Sequence, residues 1–289
     1  MNGFSSEAWA TPALREWSSA ADVAGVSPEG EGVQVWIVDL DAGVAPGEDG
    51  ETTEPGAELA VLSADERARA ARFVRARDRR RFARCRAALR EILGRLLGEP
   101  AGALRFRAAA RGKPELDREP GGDPRAEGLV VRFNVSHSAE LALIAVCRGR
   151  ELGVDLERVR RIPEADRIVA SFFTAAEQAE FAAIPQAVRD LAFHRGWTRK
   201  EAVLKGFGMG LSGLSAQHET GFGTTELTPQ FTPARPSHRV DPWMLWEAAP
   251  RPGFVAALAV HAGPSADSDR AGAARPAADD ALPAPPLRP

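Results

Sequence analysis

Apolar and polar positions alternate with a period of two in several short runs and recur every three to four residues in others, and the two patterns change places along the chain. Gly32–Leu40, rich in β-branched residues and Trp, reads as a strand. It follows residues 1–31, a small and polar segment expected to be loosely attached, with one helix-like piece near Pro12–Ser18. Gly, Pro and acidic residues mark 41–57 as a loop. Ser63-Ala-Asp-Glu66 has the form of a capping box and opens a long helical stretch with Phe73, Phe82, Leu89, Ile92 and Leu93 as apolar contacts and a break near Asp78. Leu104–Ala108 and Val130–Val135 read as strands on either side of the turn-rich stretch 111–128. Glu140–Arg148 and Glu151–Glu157 read as a hairpin about Arg148-Gly149-Arg150. Three helices are predicted next, over Pro163–Ser171, Ala175–Ala183 and Ala187–Phe207, before strand character returns at Trp243–Glu247 and Gly253–His261. Residues 263–289 have only Leu282 and Leu287 as large apolar side chains and are expected to be a disordered tail.

This order of elements predicts an α+β fold of two units, 32–129 and 130–262. The 289 residues suffice for a sizeable core, and 44% hydrophobic with 27% charged residues is ordinary for a soluble globular protein. A net charge of −3 argues against a general nucleic-acid binder, yet residues 67–90 hold eleven Arg and one acid, Asp78, a stretch able to attract anions. Cys85 and Cys147 are two isolated cysteines, which make neither a disulfide framework nor a zinc pattern and point to a reducing compartment. Apolar runs such as Leu141–Cys147 are too short to span a bilayer, and the first residues lack the pattern of a signal peptide, so a cytoplasmic protein is expected.

Gly153-Val-Asp-Leu-Glu157 alternates so that Asp155 and Glu157 share one strand face, while Trp197, Glu201 and Lys205 at i, i+4 and i+8 share one stripe of the last predicted helix. Three carboxylates and a lysine on two adjacent elements suit a divalent cation and a phosphorylated ligand. Hard oxygens with no Cys or His cluster favour magnesium, or manganese, over zinc. The competing reading is a solvated strand edge whose acids pair with Arg158, Arg160 and Arg161, and an exposed Glu201–Lys205 helix pair. Gly206-Phe-Gly-Met-Gly210 ends that helix and lets the chain turn closely past it, with Lys205 nearby. Ser136, His137 and Ser138, placed at a strand end and the turn after it, could donate to phosphate oxygens or form only a hydrophilic turn. Lys113, followed by Pro114, lies in a turn, and one or two of the clustered arginines are plausible phosphate ligands.

Taken in order, the Arg-rich helix Arg81–Arg90, Gly112-Lys-Pro114, Phe133-Asn-Val-Ser-His-Ser138, Gly153-Val-Asp-Leu-Glu157, Phe172-Phe-Thr-Ala-Ala-Glu177 and Trp197-x-x-Lys-Glu-Ala-x-x-Lys205 resemble a 4′-phosphopantetheinyl transferase of the large monomeric, surfactin-synthetase (Sfp) type. The resemblance covers roughly residues 60–215. It implies two similar α+β subdomains in a pseudo-twofold arrangement, with coenzyme A in the cleft between them. The implied reaction moves the 4′-phosphopantetheine arm to a serine of an acyl or peptidyl carrier protein and releases adenosine 3′,5′-bisphosphate. By motif, Asp155, Glu157 and Glu201 would hold Mg2+ (or Mn2+). Lys205 and His137, with Lys200 beside them, would meet coenzyme A phosphates, and Arg86, Lys113-Pro114 and Ser136 would hold the adenosine or its 3′-phosphate. Glu201, directly or through a metal-bound water, is the expected base for the serine, with Glu177 as support. The carrier is expected to dock on Phe207, Met209 and Leu211 with Arg199 at the rim. Val135 and Ala139 beside His137 depart from the residues usual in relatives, which bears on cleft shape. Two rivals use the same residues: a metal-dependent phosphohydrolase acting on coenzyme A or a nucleotide, and a non-catalytic binding module.

Overall fold

The computed structural model of the chain describes residues 12–19, 32–44, 55–109, 112–117, 130–208, 218–234 and 239–263. Most of the predicted tail, and Met209 and Leu211 of the expected docking surface, lie outside the described residues. The strands are β1 (Ala13–Trp17), β2 (Gln34–Asp39), β3 (Phe106–Ala108), β4 (Pro114–Leu116), β5 (Val131–Ser138), β6 (Leu141–Arg148), β7 (Leu152–Arg158), β8 (Thr232–Pro233), β9 (Arg239–Val240), β10 (Trp243–Ala248) and β11 (Phe254–His261). The helices are α1 (Ala64–Ala71), α2 (Ala76–Leu97), α3 (Ala165–Phe172), α4 (Ala175–Ala183) and α5 (Gln186–Phe207).

Two sheets carry the fold, one ordered β1-β2-β6-β5 and the other β7-β11-β10-β8, with β9 added against β10 and a separate β3-β4 pair. Strands β2 and β6 are apolar on both faces because both faces are covered. Trp36, Val38, Ile144 and Val146 pack with Leu89, Ile92 and Leu93 of α2, whereas Val35, Ile37, Leu143 and Ala145 meet Val154, Leu156, Leu258 and Val260 of the second sheet. On the far side of that sheet Ala202 and Val203 of α5 join Leu245, Ala257 and Ala259. The layers run helix, sheet, sheet, helix, and each half is one long helix on one sheet. This is the expected α+β architecture of two similar units.

The long helices explain themselves locally. Ser63 accepts from Glu66 N while the Glu66 carboxylate accepts from Ser63 N, a reciprocal cap that starts α1, and Thr174 with Glu177 does the same for α4. Gly98 and Gly208 close α2 and α5 in the left-handed conformation, at φ 68° in each case. Cys85 and Cys147 are buried free thiols whose pKa values burial pushes up to about 11, which keeps them protonated and unreactive.

Four expectations need correction. The helix-like piece near Pro12–Ser18 is strand β1, because it pairs in parallel with β2 and buries Trp17 against α2, a long-range gain that outweighs local propensity. The break in the Arg-rich region falls at 72–75, and Asp78 lies in the first turn of α2, where a negative charge suits the helix dipole. The hairpin is β5-β6, turning at Ala139-Glu140 with Ala139 at φ 52°. Strand β6 takes β2 and β5 as partners and β7 takes β11, so the turn at Gly149 links two sheets instead of closing a hairpin. It follows that residues 131–148 complete the first sheet, and the sheets divide near 149–151, not near 130.

Candidate functional site

The site forms where β5, the edge of the first sheet, runs beside β7, the edge of the second. Val154 N donates to Asn134 Oδ1 at 2.9 Å, Leu156 N to Ser136 Oγ at 3.2 Å and Arg158 N to Ser138 Oγ at 3.1 Å. Each donor lies 20 residues after its acceptor, a constant offset that makes the strands parallel, and side-chain oxygens of β5 stand where backbone carbonyls would complete a ladder. The Ser-His-Ser segment is therefore strand, not turn.

Alternation along β7 gives Asp155 and Glu157 the opposite face from Val154 and Leu156, and α5 lies across that face. The approach is close because Gly153 has no side chain: a Cβ there would stand 2.0 Å from Ala202 O and 2.4 Å from Gly206 N. Lys205 thereby reaches β7, its Nζ 2.6 Å from Asp155 Oδ1 and 2.9 Å from Ser136 Oγ. Asp155 is 4% exposed, and its Oδ2 is buried with no hydrogen-bond partner. Among the described residues no three Asp, Glu, His or Cys side chains stand close enough together to form a ready-made metal cage. Their charges nevertheless meet. Burial, then the charge of Asp155, pushes the pKa values of both Glu157 and Glu201 up to about 7. For Lys205 burial acts downward, but Asp155, Glu201 and Glu157 together raise its pKa above the ordinary lysine value. An orphaned buried carboxylate oxygen beside two mutually repelling carboxylates, all hard donors, fits a small divalent cation.

His137 is exposed at the same seam. Desolvation by the surrounding walls, then the Lys205 charge, holds its pKa below the ordinary value, so the ring is neutral at pH 7 and offers a hydrogen bond rather than a positive charge. Ser136 does not fit the expected phosphate role. Its lone pairs face two obligatory donors, Leu156 N and Lys205 Nζ, and its one proton goes to Asp155 Oδ1 at 2.9 Å. Lys113 Nζ bridges the start of β7 and the end of α5, bonding Glu151 Oε2 and Leu152 O at 2.9 Å each and Gly206 O at 3.2 Å. Lys113, Pro114, Arg132, Phe133 and Glu151 line one recess.

Three further residues are turned elsewhere. Arg86 donates through Nε to Glu66 Oε1 at 2.7 Å and lies over Phe106, because the capping carboxylate at the start of α1 draws it in. Lys200, 2% exposed, holds Glu177 Oε2 at 2.7 Å and His218 O at 2.9 Å, so it is not beside Lys205 in the phosphate site. Glu177 in turn accepts from Thr220 N and Gly221 N and anchors that segment to α4. Arg199 is 0% exposed and cannot form a docking rim; one turn beyond Arg195, it meets the buried Glu247. Sequence reasoning missed Glu247, Arg195 and Asn134. For Asn134 a signal exists in the polar alternation Asn134, Ser136, Ser138 on an otherwise apolar strand.

A family model described as the 4′-phosphopantetheinyl transferase superfamily matches residues 151–241, and one described as 4′-phosphopantetheinyl transferase, N-terminal, matches residues 52–148. The 4′-phosphopantetheinyl transferase HetI of Nostoc sp. is 38% identical over 203 residues, 70% of this chain and 79% of that protein. The chain belongs to the 4′-phosphopantetheinyl transferase family. The human L-aminoadipate-semialdehyde dehydrogenase-phosphopantetheinyl transferase is 29% identical over 161 residues, 53% of this chain and 51% of its own length. A holo-(acyl-carrier-protein) synthase of Chloroflexus aggregans is 45% identical over 69 residues, 22% of this chain and 49% of that protein. Enzymes of this family use coenzyme A to place phosphopantetheine on carrier proteins, and a coenzyme A phosphohydrolase has no support among these relatives. The two matched regions abut at 148–151, where the sheets divide. No helix among the described residues is long and apolar enough to cross a membrane.

Proposed function

We propose that this phosphopantetheinyl transferase is a magnesium-dependent enzyme of the large monomeric, Sfp type, acting in the cytoplasm. It passes the arm of coenzyme A to a carrier-protein serine and releases adenosine 3′,5′-bisphosphate. The observation that carries the reading is the meeting of Asp155 and Glu157 on β7 with Glu201 and Lys205 on α5, around a buried Asp155 Oδ2 that no protein group satisfies. Asp155, Glu157 and Glu201 would hold the magnesium, which supplies positive charge to the pyrophosphate as the bond to the leaving phosphate breaks. Lys205 stays protonated at neutral pH and offsets charge on the same phosphates, while the neutral His137 ring donates to one of them. Glu201 accepts the proton of the incoming serine hydroxyl, whose oxygen attacks the phosphorus bearing the arm. Lys113, on the small recess beside the start of β7, would meet the adenosine end. We also propose that the two units divide at the turn near 149–151.

The direct test is intact-mass analysis of an apo carrier protein incubated with coenzyme A and magnesium. The carrier should gain one phosphopantetheine. Release of adenosine 3′,5′-bisphosphate with an unchanged carrier mass would overturn the transfer in favour of hydrolysis.

The carboxylates predict a linked effect of pH and magnesium on stability. Glu157 and Glu201 titrate near 4.5 when unfolded and at about 7 when folded, so the folded state keeps protons that the unfolded state has lost. Their part of the stability therefore falls as pH rises through that window and is level above it. Magnesium competes with those protons. At about ten times its Kd it should add about 1.4 kcal/mol, or roughly 3 °C in Tm, at pH 8, and much less at pH 5. Thermal melts with and without magnesium at the two pH values check this; an equal gain at both would count against these ligands.

A further inference from the structure

We propose that Ser138 is a positioning residue for Glu157, and that the rail Asn134-Ser136-Ser138 sets the orientation of both β7 carboxylates while it joins the two sheets; this rests on the reading of Asp155 and Glu157 as cation ligands.

The argument is one of donors and acceptors. Arg158 N can only donate, and it donates to Ser138 Oγ at 3.1 Å, which fixes where a lone pair of that hydroxyl points. The single hydroxyl proton is thereby aimed away from the strand, and it meets Glu157 Oε2 at 2.9 Å. Ser136 repeats the arrangement one step earlier, accepting from Leu156 N and donating to Asp155 Oδ1. In each case the serine takes the amide of the residue after the carboxylate and gives its proton to the carboxylate itself. The strand amide orients the hydroxyl, and the hydroxyl orients the acid. Asn134, 8% exposed, extends the rail to Val154 N, but the residue before that amide is Gly153, which has no carboxylate, so Asn134 serves the joint alone. Ser138 therefore has no proton left for a phosphate oxygen, the role its place in Ser-His-Ser first suggests. Outer groups of this kind tune metal affinity about 10–100-fold.

The experiment is a magnesium titration of the thermal shift of the whole chain, free of coenzyme A, for the wild type and for Ser138→Ala, Ser138→Thr and Asn134→Ala, with transfer rates measured in parallel. Ser138→Ala should move the magnesium midpoint about 10–100-fold upward and lower transfer at limiting magnesium, with recovery as magnesium saturates. Ser138→Thr, which keeps the hydroxyl, should stay near the wild-type midpoint. Asn134→Ala should lower Tm at every magnesium concentration without moving the midpoint. A Ser138→Ala midpoint equal to that of the wild type, whether Tm drops or KM for coenzyme A rises, would overturn the inference alone. A wild-type chain whose melting ignores magnesium would overturn the ligand reading and this inference together.

Discussion

Glu247→Ala is expected to cost about 3–5 kcal/mol of folding stability, more than any other single truncation considered for this chain. Glu247 is 2% exposed and is the common acceptor of two arginines that are themselves sealed from water, Arg195 at 1% and Arg199 at 0%. Arg195 presents a fork, Nε at 3.1 Å and Nη2 at 2.9 Å from the two carboxylate oxygens, and Arg199 Nη2 adds a contact to Oε2. The pair of arginines also reaches Thr225 O and Thr220 O, so the cluster fastens segment 218–225 to α5 and β10. Removing the carboxylate leaves two guanidinium groups buried against each other, and neither can lose its proton near neutral pH. Burial alone would raise the Glu247 pKa, but the bonds from Arg195 and Arg199 bring it below the ordinary carboxylate value. Its contribution is thus fully present at neutral pH and is lost only as pH falls below the usual glutamate range. Urea denaturation midpoints of Glu247→Ala, with Glu247→Gln as the milder partner, measure the effect. A loss under about 1 kcal/mol would contradict the account of the cluster.

The second large effect runs the other way on stability. Asp155→Asn should lower phosphopantetheine transfer by at least about a hundredfold, the scale of losing a main electrostatic group at a reacting centre, while leaving Tm unchanged or raised. Asparagine keeps the shape and can still meet Ser136. Lys205 loses its pair with Asp155 but keeps Glu201 and Glu157 as counter-charges. The Asp155 charge that pushes those two acids up is gone, so relief of repulsion within the carboxylate set offsets the lost pair. Activity and stability then move in opposite directions, a pattern typical of residues kept for chemistry at a cost to the fold. Carrier mass shift and thermal melting on the same preparation decide it. A fall in activity that merely follows a fall in Tm would remove Asp155 from the catalytic account.

The sequence made legible whatever is written within a few turns of chain. The capping boxes at Ser63-Glu66 and Thr174-Glu177, the strand face of Asp155 and Glu157, and the helix stripe of Glu201 and Lys205 are all local patterns, and the structure has them as read. What escaped is decided by partners far along the chain. Ala13–Trp17 becomes a strand only because β2 lies beside it. Arg199 looks like a solvated helix cation until Glu247, 48 residues on, is placed next to it. Arg86 is one arginine among eleven between 67 and 90, and nothing local says that Glu66 claims it. The Glu140–Glu157 region misled for a related reason: two apolar runs about a Gly turn have the same pattern whether they pair with each other or with strands elsewhere.

The seam between β5 and β7 has a consequence for motion. A backbone ladder opens cooperatively, since neighbouring bonds share the same rigid strands, whereas a side-chain amide or hydroxyl lets go by rotation about its own χ angles. The amides of Val154, Leu156 and Arg158 can therefore be released one at a time while β7 stays paired with β11. Hydrogen exchange at those three positions would register breathing between the two halves of the molecule separately from the unfolding of either.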